Sequence, residues 1–163
     1  LSSQLSSYIG GAYDVNAGGA TPFASFLSSA GLTGANALVY ADNDGDGLDN
    51  LTEYALNMVL TQSAKYLLDE VDNSSGLPIP AVVYTDENDS ILAIEYVRRK
   101  GADEVTYVPE FTSDLENSAW SGNTGNETVT SIDSTWERVR VEDVNSGSTN
   151  VTRFGRLRLL FTP

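Results

Sequence analysis

Between Ala41 and Tyr54 the chain reads Asp42-Asn43-Asp44-Gly45-Asp46-Gly47-Leu48-Asp49-Asn50-Leu51-Thr52-Glu53, five carboxylates and two glycines in twelve residues. So dense a run of negative charge resists compaction unless a cation joins it, because like charges a few ångströms apart repel. The spacing D-x-D-x-D-G-x₅-E is that of an EF-hand loop. Alternate residues of a tight loop send their side chains to one centre, so Asp42, Asp44 and Asp46 converge. Gly47 supplies the positive φ that turns the chain around that centre. The Leu48 carbonyl, Asn50 directly or through a water, and a bidentate Glu53 complete the set. Together they approach the six to eight hard oxygens at about 2.3–2.6 Å that Ca²⁺ prefers. Mg²⁺ demands a rigid octahedron with several waters and suits so many protein oxygens less well. The expected metal ligands are therefore Asp42, Asp44, Asp46, Leu48, Asn50 and Glu53, around one Ca²⁺.

The loop departs from paired EF-hands at its eighth position. There an aliphatic residue usually bridges to a partner loop, and this chain has Asp49. No second twelve-residue loop of this kind occurs in the sequence. A solitary structural site is expected rather than a cooperative sensor, with a Kd on the order of 10⁻⁴–10⁻³ M, as in extracellular modules.

The remaining composition narrows the function classes. The formal charge is −14, from 23 acidic and 9 basic residues, which repels phosphate backbones and argues against nucleic-acid binding. Residues 1–85 contain nine acids and one base, Lys65, so the first half gains most from a bound cation. There is no cysteine and no histidine, which excludes disulfides, thiolate metal sites and the commonest general base. A non-catalytic role is expected. At 40% hydrophobic the chain can build a core, yet no stretch approaches the roughly 18 apolar residues that span a bilayer. A start at Leu1 without a basic-then-apolar leader reads as a processed product or an excised fragment.

Local patterns predict an α+β fold: a small helical segment with a single EF-hand-like calcium loop, followed by an antiparallel β-sandwich. The division falls near Ser74-Ser75-Gly76-Leu77-Pro78, giving an N-terminal arm and helical calcium-binding segment over residues 1–76 and a sandwich over 77–163. Thr21-Pro22 reads as an N-cap followed by proline at the first helical position, and Gly31 as the stop. Phe23, Phe26 and Leu27 recur at i, i+3, i+4 and share one face. A second short helix follows the loop, burying Leu51, Tyr54 and Ala55, and a third is expected over Ser63–Val71. Residues 1–20 read as an extended arm or a weak helix. From Ile79 about six strands are expected. They cover Ala81–Tyr84, Ile91–Arg98, Glu104–Phe111, Glu127–Ile132, Trp136–Val144 and a last strand. In that last strand Leu157, Leu159 and Phe161 oppose Arg156 and Arg158.

The run from Phe23 and Phe26 through Gly31-Leu32-Thr33, the 42–53 loop and Glu53-Tyr54-Ala55-Leu56 resembles a calcium-binding module of large secreted proteins of planctomycete and verrucomicrobial bacteria. Those modules carry a dockerin-like loop and continue into a β-rich segment. Here that segment corresponds to Ile94–Arg99, Thr106-Tyr107, Ser113–Leu115 with Trp120, and Arg153–Arg158. The resemblance covers residues 23–161 and implies secretion to the cell surface, calcium and a non-catalytic role. Asn57 stands where the family has glycine, and Met58–Val71 replaces a short turn.

Two further constellations bear on partners. Trp120, Trp136, Tyr84, Tyr96 and Tyr107 form either part of the sandwich core or a sugar-stacking platform. Arg138, Arg140, Arg156 and Arg158 form either a solvated face paired with Glu137 and Glu142 or a basic stripe for acidic polysaccharide. The leading expectation is a structural or adhesive extracellular module, within a longer chain or as a homo-oligomer or polymer. The rival is a carbohydrate-binding module of a secreted polysaccharide-degrading enzyme. Five N-x-S/T sequons, beginning at Asn50, Asn73, Asn88, Asn126 and Asn150, accord with an extracellular chain.

Overall fold

The computed structural model describes residues 21–70, 72–86, 89–116, 119–145 and 152–162; the expected arm over residues 1–20 lies outside them. Helix α1, Pro22–Ser29, begins as its sequence predicts. The Thr21 hydroxyl accepts the Ala24 N–H at 3.1 Å, and Phe23, Ala24 and Leu27 are buried. Its end is a complete Schellman motif: Leu32 N–H donates to Leu27 O at 3.0 Å and Gly31 N–H to Ser28 O at 3.0 Å. Gly31, at φ +74°, supplies the left-handed residue this requires.

Helix α2, Asn50–Ala55, is capped by Asp49, whose Oδ1 accepts the Thr52 N–H at 2.8 Å. It closes with the same 6→1 bond, Met58 N–H to Glu53 O at 2.8 Å. Here the left-handed position is Asn57, at φ +58°. Asparagine tolerates that conformation better than most residues, and its Nδ2 also donates to Ser74 O.

The helix expected over Ser63–Val71 is not formed. Leu68 N–H instead donates to Leu77 O at 2.9 Å, and Leu77 N–H to Tyr66 O at 2.9 Å. Asp69 is left-handed at φ +80°. A Cβ on Gly76 would lie 2.7 Å from Leu68 N, so two backbones meet directly here. Backbone pairing with the incoming 75–77 segment satisfies the amides that a helix would have used internally.

All six expected strands are present: β1 Ile79–Asp86, β2 Asp89–Arg99, β3 Val105–Thr112, β4 Thr124–Ser131, β5 Trp136–Asp143 and β6 Phe154–Phe161. They make two antiparallel sheets, one ordered β1-β2-β5-β4 and one pairing β3 with β6. With the short helices this is an α+β architecture. Ile94, Tyr96, Val139 and Val141 of the larger sheet pack with Phe111 of the smaller one. Gly155 makes that approach possible, because a Cβ there would fall 2.8 Å from Ile94 Cδ1 and 3.1 Å from Phe111 Cε1.

The helical segment shares its core with the sheets. Phe23, Leu27, Val39, Leu51, Tyr54, Leu56 and Leu68 belong to one buried cluster with Val97, Val105 and Trp136. The Arg99 guanidinium lies 4.4 Å from the ring centres of both Tyr54 and Trp136, bridging α2 to β5. Glu104 accepts from the Tyr54 hydroxyl at 2.8 Å and from the Phe23 N–H at 3.0 Å. Tyr107 donates its hydroxyl to Ala55 O at 2.8 Å, satisfying a carbonyl at the end of α2. These contacts fix where α2, and the loop that precedes it, stand relative to the sheets. Among the described residues no helix is long and apolar enough to cross a membrane.

Candidate metal centre

The loop is closed at its base by backbone bonds from Asn50 N–H to Ala41 O at 2.9 Å and from Leu51 N–H to Val39 O at 3.0 Å. Asp42 organises its interior, one carboxylate oxygen accepting the Gly45 N–H and the other the Gly47 N–H, each at 2.8 Å. Both glycines take positive φ, +77° and +85°, as the tight turn demands. Asp44 Oδ1 accepts from Asp46 N–H at 3.2 Å, and Asp46 Oδ1 from Leu48 N–H at 2.7 Å. Each of these two aspartates is thus held by one oxygen. The other, Oδ2, is buried without a donor.

Oxygens of Asp42, Asp44 and Asp46 lie within 4.8 Å of one another. Ligands 2.3–2.6 Å from a shared ion stand at most about 5 Å apart, so the triplet admits one divalent cation. Glu53 is not part of the triplet but borders it from the first turn of α2. It is 1% exposed, and its Oε2 also has no hydrogen-bond donor. Burial, followed by the charges of Asp44, Asp46, Asp42 and Asp49, pushes its carboxyl up to about 8. A buried carboxylate ringed by carboxylates is unfavourable as it stands, and a cation at the triplet removes that cost.

Two of the expected ligands, Asn50 and Leu48, also tie the loop to the scaffold. The Asn50 amide braces the scaffold: Nδ2 donates to Asn36 O and Leu38 O at 2.9 and 2.7 Å, and one lone pair of Oδ1 accepts from Asn43 Nδ2 at 2.7 Å. Asn50 is wholly buried, so the Asn36 and Leu38 carbonyls depend on its Nδ2 for a partner. Leu48 packs its side chain against the main core, which pins the far side of the loop.

Sequence reading missed Lys65. Its Nζ sits 3.0 Å from where a Cβ on Gly47 would begin, so an ammonium stands directly against the loop. The one available signal was its isolation as the single base among the first 85 residues.

The arginines pair with acids other than those expected. Glu95, 5% exposed, takes both Arg138 and Arg140, and Arg138 also reaches Asp69. Glu110 takes Arg156 and Arg158 at 2.8 and 3.0 Å. Glu137 bonds Arg98, and Glu142 accepts from Asn126. The reason is register: Glu95 faces Arg140 across β2–β5, and Glu110 faces Arg156 across β3–β6. Of the aromatic set, Trp136 and Tyr96 are buried at 6% and 1% exposure and are closed to any ligand. Tyr84 is exposed, and Trp120 is half-buried with Arg156 stacked 4.2 Å from its ring centre. Comparison with known protein families, with characterised proteins and with solved structures finds no match for this chain.

Proposed function

We propose that residues 42–53 hold one calcium ion, and that the ion locks the helical segment against the sheets of a secreted, non-catalytic module of the cell surface. Asp42, Asp44 and Asp46 supply one oxygen each, Leu48 its carbonyl, and Glu53 its carboxylate. Asn50 acts behind them as the strut that keeps the loop closed. The observation that carries this reading is the combination of three mutually close aspartates with a buried Glu53 oxygen that has no donor. A raised carboxyl pKa is also what a general acid requires. The unpartnered Asp44 and Asp46 oxygens favour the ion instead, since an acid needs one proton and this site presents three buried oxygens without donors.

The structural role follows from where the loop sits. Its last residues are the first turn of α2, and α2 carries Leu51, Tyr54 and Ala55 into the core shared with Val97, Val105 and Trp136. An ion that orders the loop therefore orders the packing between the two halves. Secretion and a cell-surface setting rest on the family resemblance, the acidic composition and the sequons. The carbohydrate-binding alternative loses Trp136 and Tyr96 to the core and keeps an exposed Tyr84 and a half-buried Trp120 stacked with Arg156.

Thermal melts of the full chain in calcium and in chelator test the proposal. At a hundred times Kd, calcium adds about 2.7 kcal/mol, a rise in Tm of about 5–10 °C for a chain of this size. Superimposable melts together with no heat on titrating calcium would overturn it.

A further inference from the structure

We infer that Lys65 is a resident positive charge that lowers the affinity of the 42–53 loop for its cation; this rests on the calcium reading above. The ammonium stands against Gly47, the residue whose N–H bonds Asp42 and which lies between Asp46 and Leu48. It is exposed and makes no hydrogen bond or ion pair among the described residues. Every other cation is engaged. Arg98, Arg138, Arg140, Arg153, Arg156 and Arg158 are in ion pairs, Arg99 is stacked between two rings, and Lys100 donates to Ser131 and Asp133. The uncommitted base is thus the one that stands against Gly47 of the acidic loop.

The position is maintained by the segment that follows. Tyr66 hydroxyl bonds the Ser75 hydroxyl at 2.6 Å, Leu68 pairs with Leu77, and Asp69 is clasped by Arg138. The fold therefore delivers Lys65 to the loop rather than leaving it to chance on a free surface. A positive charge there offsets part of the carboxylate repulsion when no metal is bound. It then opposes a doubly charged ion when one arrives. Both effects lower the affinity, and both act through solvent and are screened by salt.

Calcium is titrated calorimetrically into metal-free wild type, Lys65→Gln and Lys65→Arg at low and at physiological ionic strength. Lys65→Gln should bind about three- to tenfold more tightly at low salt, with the gap narrowing as salt rises. Lys65→Arg, which keeps the charge, should match wild type. In saturating calcium Lys65→Arg should melt with wild type and Lys65→Gln no lower than wild type, because Lys65 takes no part in the core and its charge opposes the bound ion. Equal or weaker binding by Lys65→Gln, with wild type binding normally, overturns the role of Lys65 and leaves the calcium site standing. Absence of binding by wild type removes the site itself, and the inference with it.

Discussion

Glu53 in the loop and Glu95 in the larger sheet are both buried, yet their surroundings are opposite. Glu95 has Arg138 and Arg140 on its two oxygens. Burial alone would raise its carboxyl, but the hydrogen bonds and charges of those arginines outweigh burial and hold it below the ordinary glutamate value of 4.5. Glu53 has aspartates for neighbours and is pushed upward. Glu110 in the smaller sheet repeats the Glu95 arrangement, between Arg156 and Arg158 and likewise held low. The chain can supply arginine partners to buried glutamates, and does so twice from an Arg-x-Arg pair on the neighbouring strand. That it supplies none to Glu53 is the contrast on which the proposal of an external cation rests.

The contrast can be broken from either side. Glu53→Gln should abolish most of the calcium-dependent stabilisation, a loss of about 2–3 kcal/mol in saturating calcium. In chelator the same substitution should be neutral or stabilising, since it removes a buried carboxyl whose ionisation burial and the neighbouring aspartates oppose. A full calcium response retained by Glu53→Gln would show that the carboxylate is not a ligand. Glu95→Gln should cost about 2 kcal/mol, reduced from the fully buried case because both arginines are partly exposed, and the cost should be equal with and without calcium. Its signature is acid dependence. A carboxyl whose pKa is lower in the folded state contributes stability above about 4.5 and loses it as pH falls through the folded value. Wild type should therefore shed this contribution in acid, and Glu95→Gln should show a shallower acid limb in chemical unfolding curves recorded between neutral pH and pH about 3. The smallest effect belongs to the helix end beside the loop. Asn57→Ala should destabilise by about 1 kcal/mol, from the left-handed backbone and the lost bond to Ser74, and should barely alter calcium affinity. A large drop in affinity would mean that the end of α2 is coupled to the ion.

Much of the framework was legible because it depends on neighbours in sequence. The cap at Thr21, the stop at Gly31, the left-handed turn at Gly47 and the six strands all follow from side chains a few residues apart. The alternation of Val139 and Val141 with Arg138 and Arg140 is read in the same way. The third helix failed for the converse reason. Tyr66, Leu67 and Val71 have helical spacing, but the Tyr66 carbonyl and Leu68 amide found partners on Leu77, and that competition is invisible to a local pattern. Asn50 shows the same limit within the motif. Its position in the loop suggests a ligand, and only the folded chain shows that its amide also bonds Asn36, Leu38 and Asn43.

By itself the sequence determined that an acidic loop would form around two glycines, that helices would start and stop where they do, and which strands would exist. Those features depend on backbone dihedral preferences, caps and short-period hydrophobicity, all interactions of short range. Only the tertiary structure decided that Glu95 and Glu110 would each gain two arginines and that Trp136 would be buried under Arg99. It also decided that Glu53 would be enclosed without a donor and that Lys65 would stand against Gly47. Each of these depends on strand register or on close approach between distant segments, where the energy of a charge is set by what the fold brings beside it.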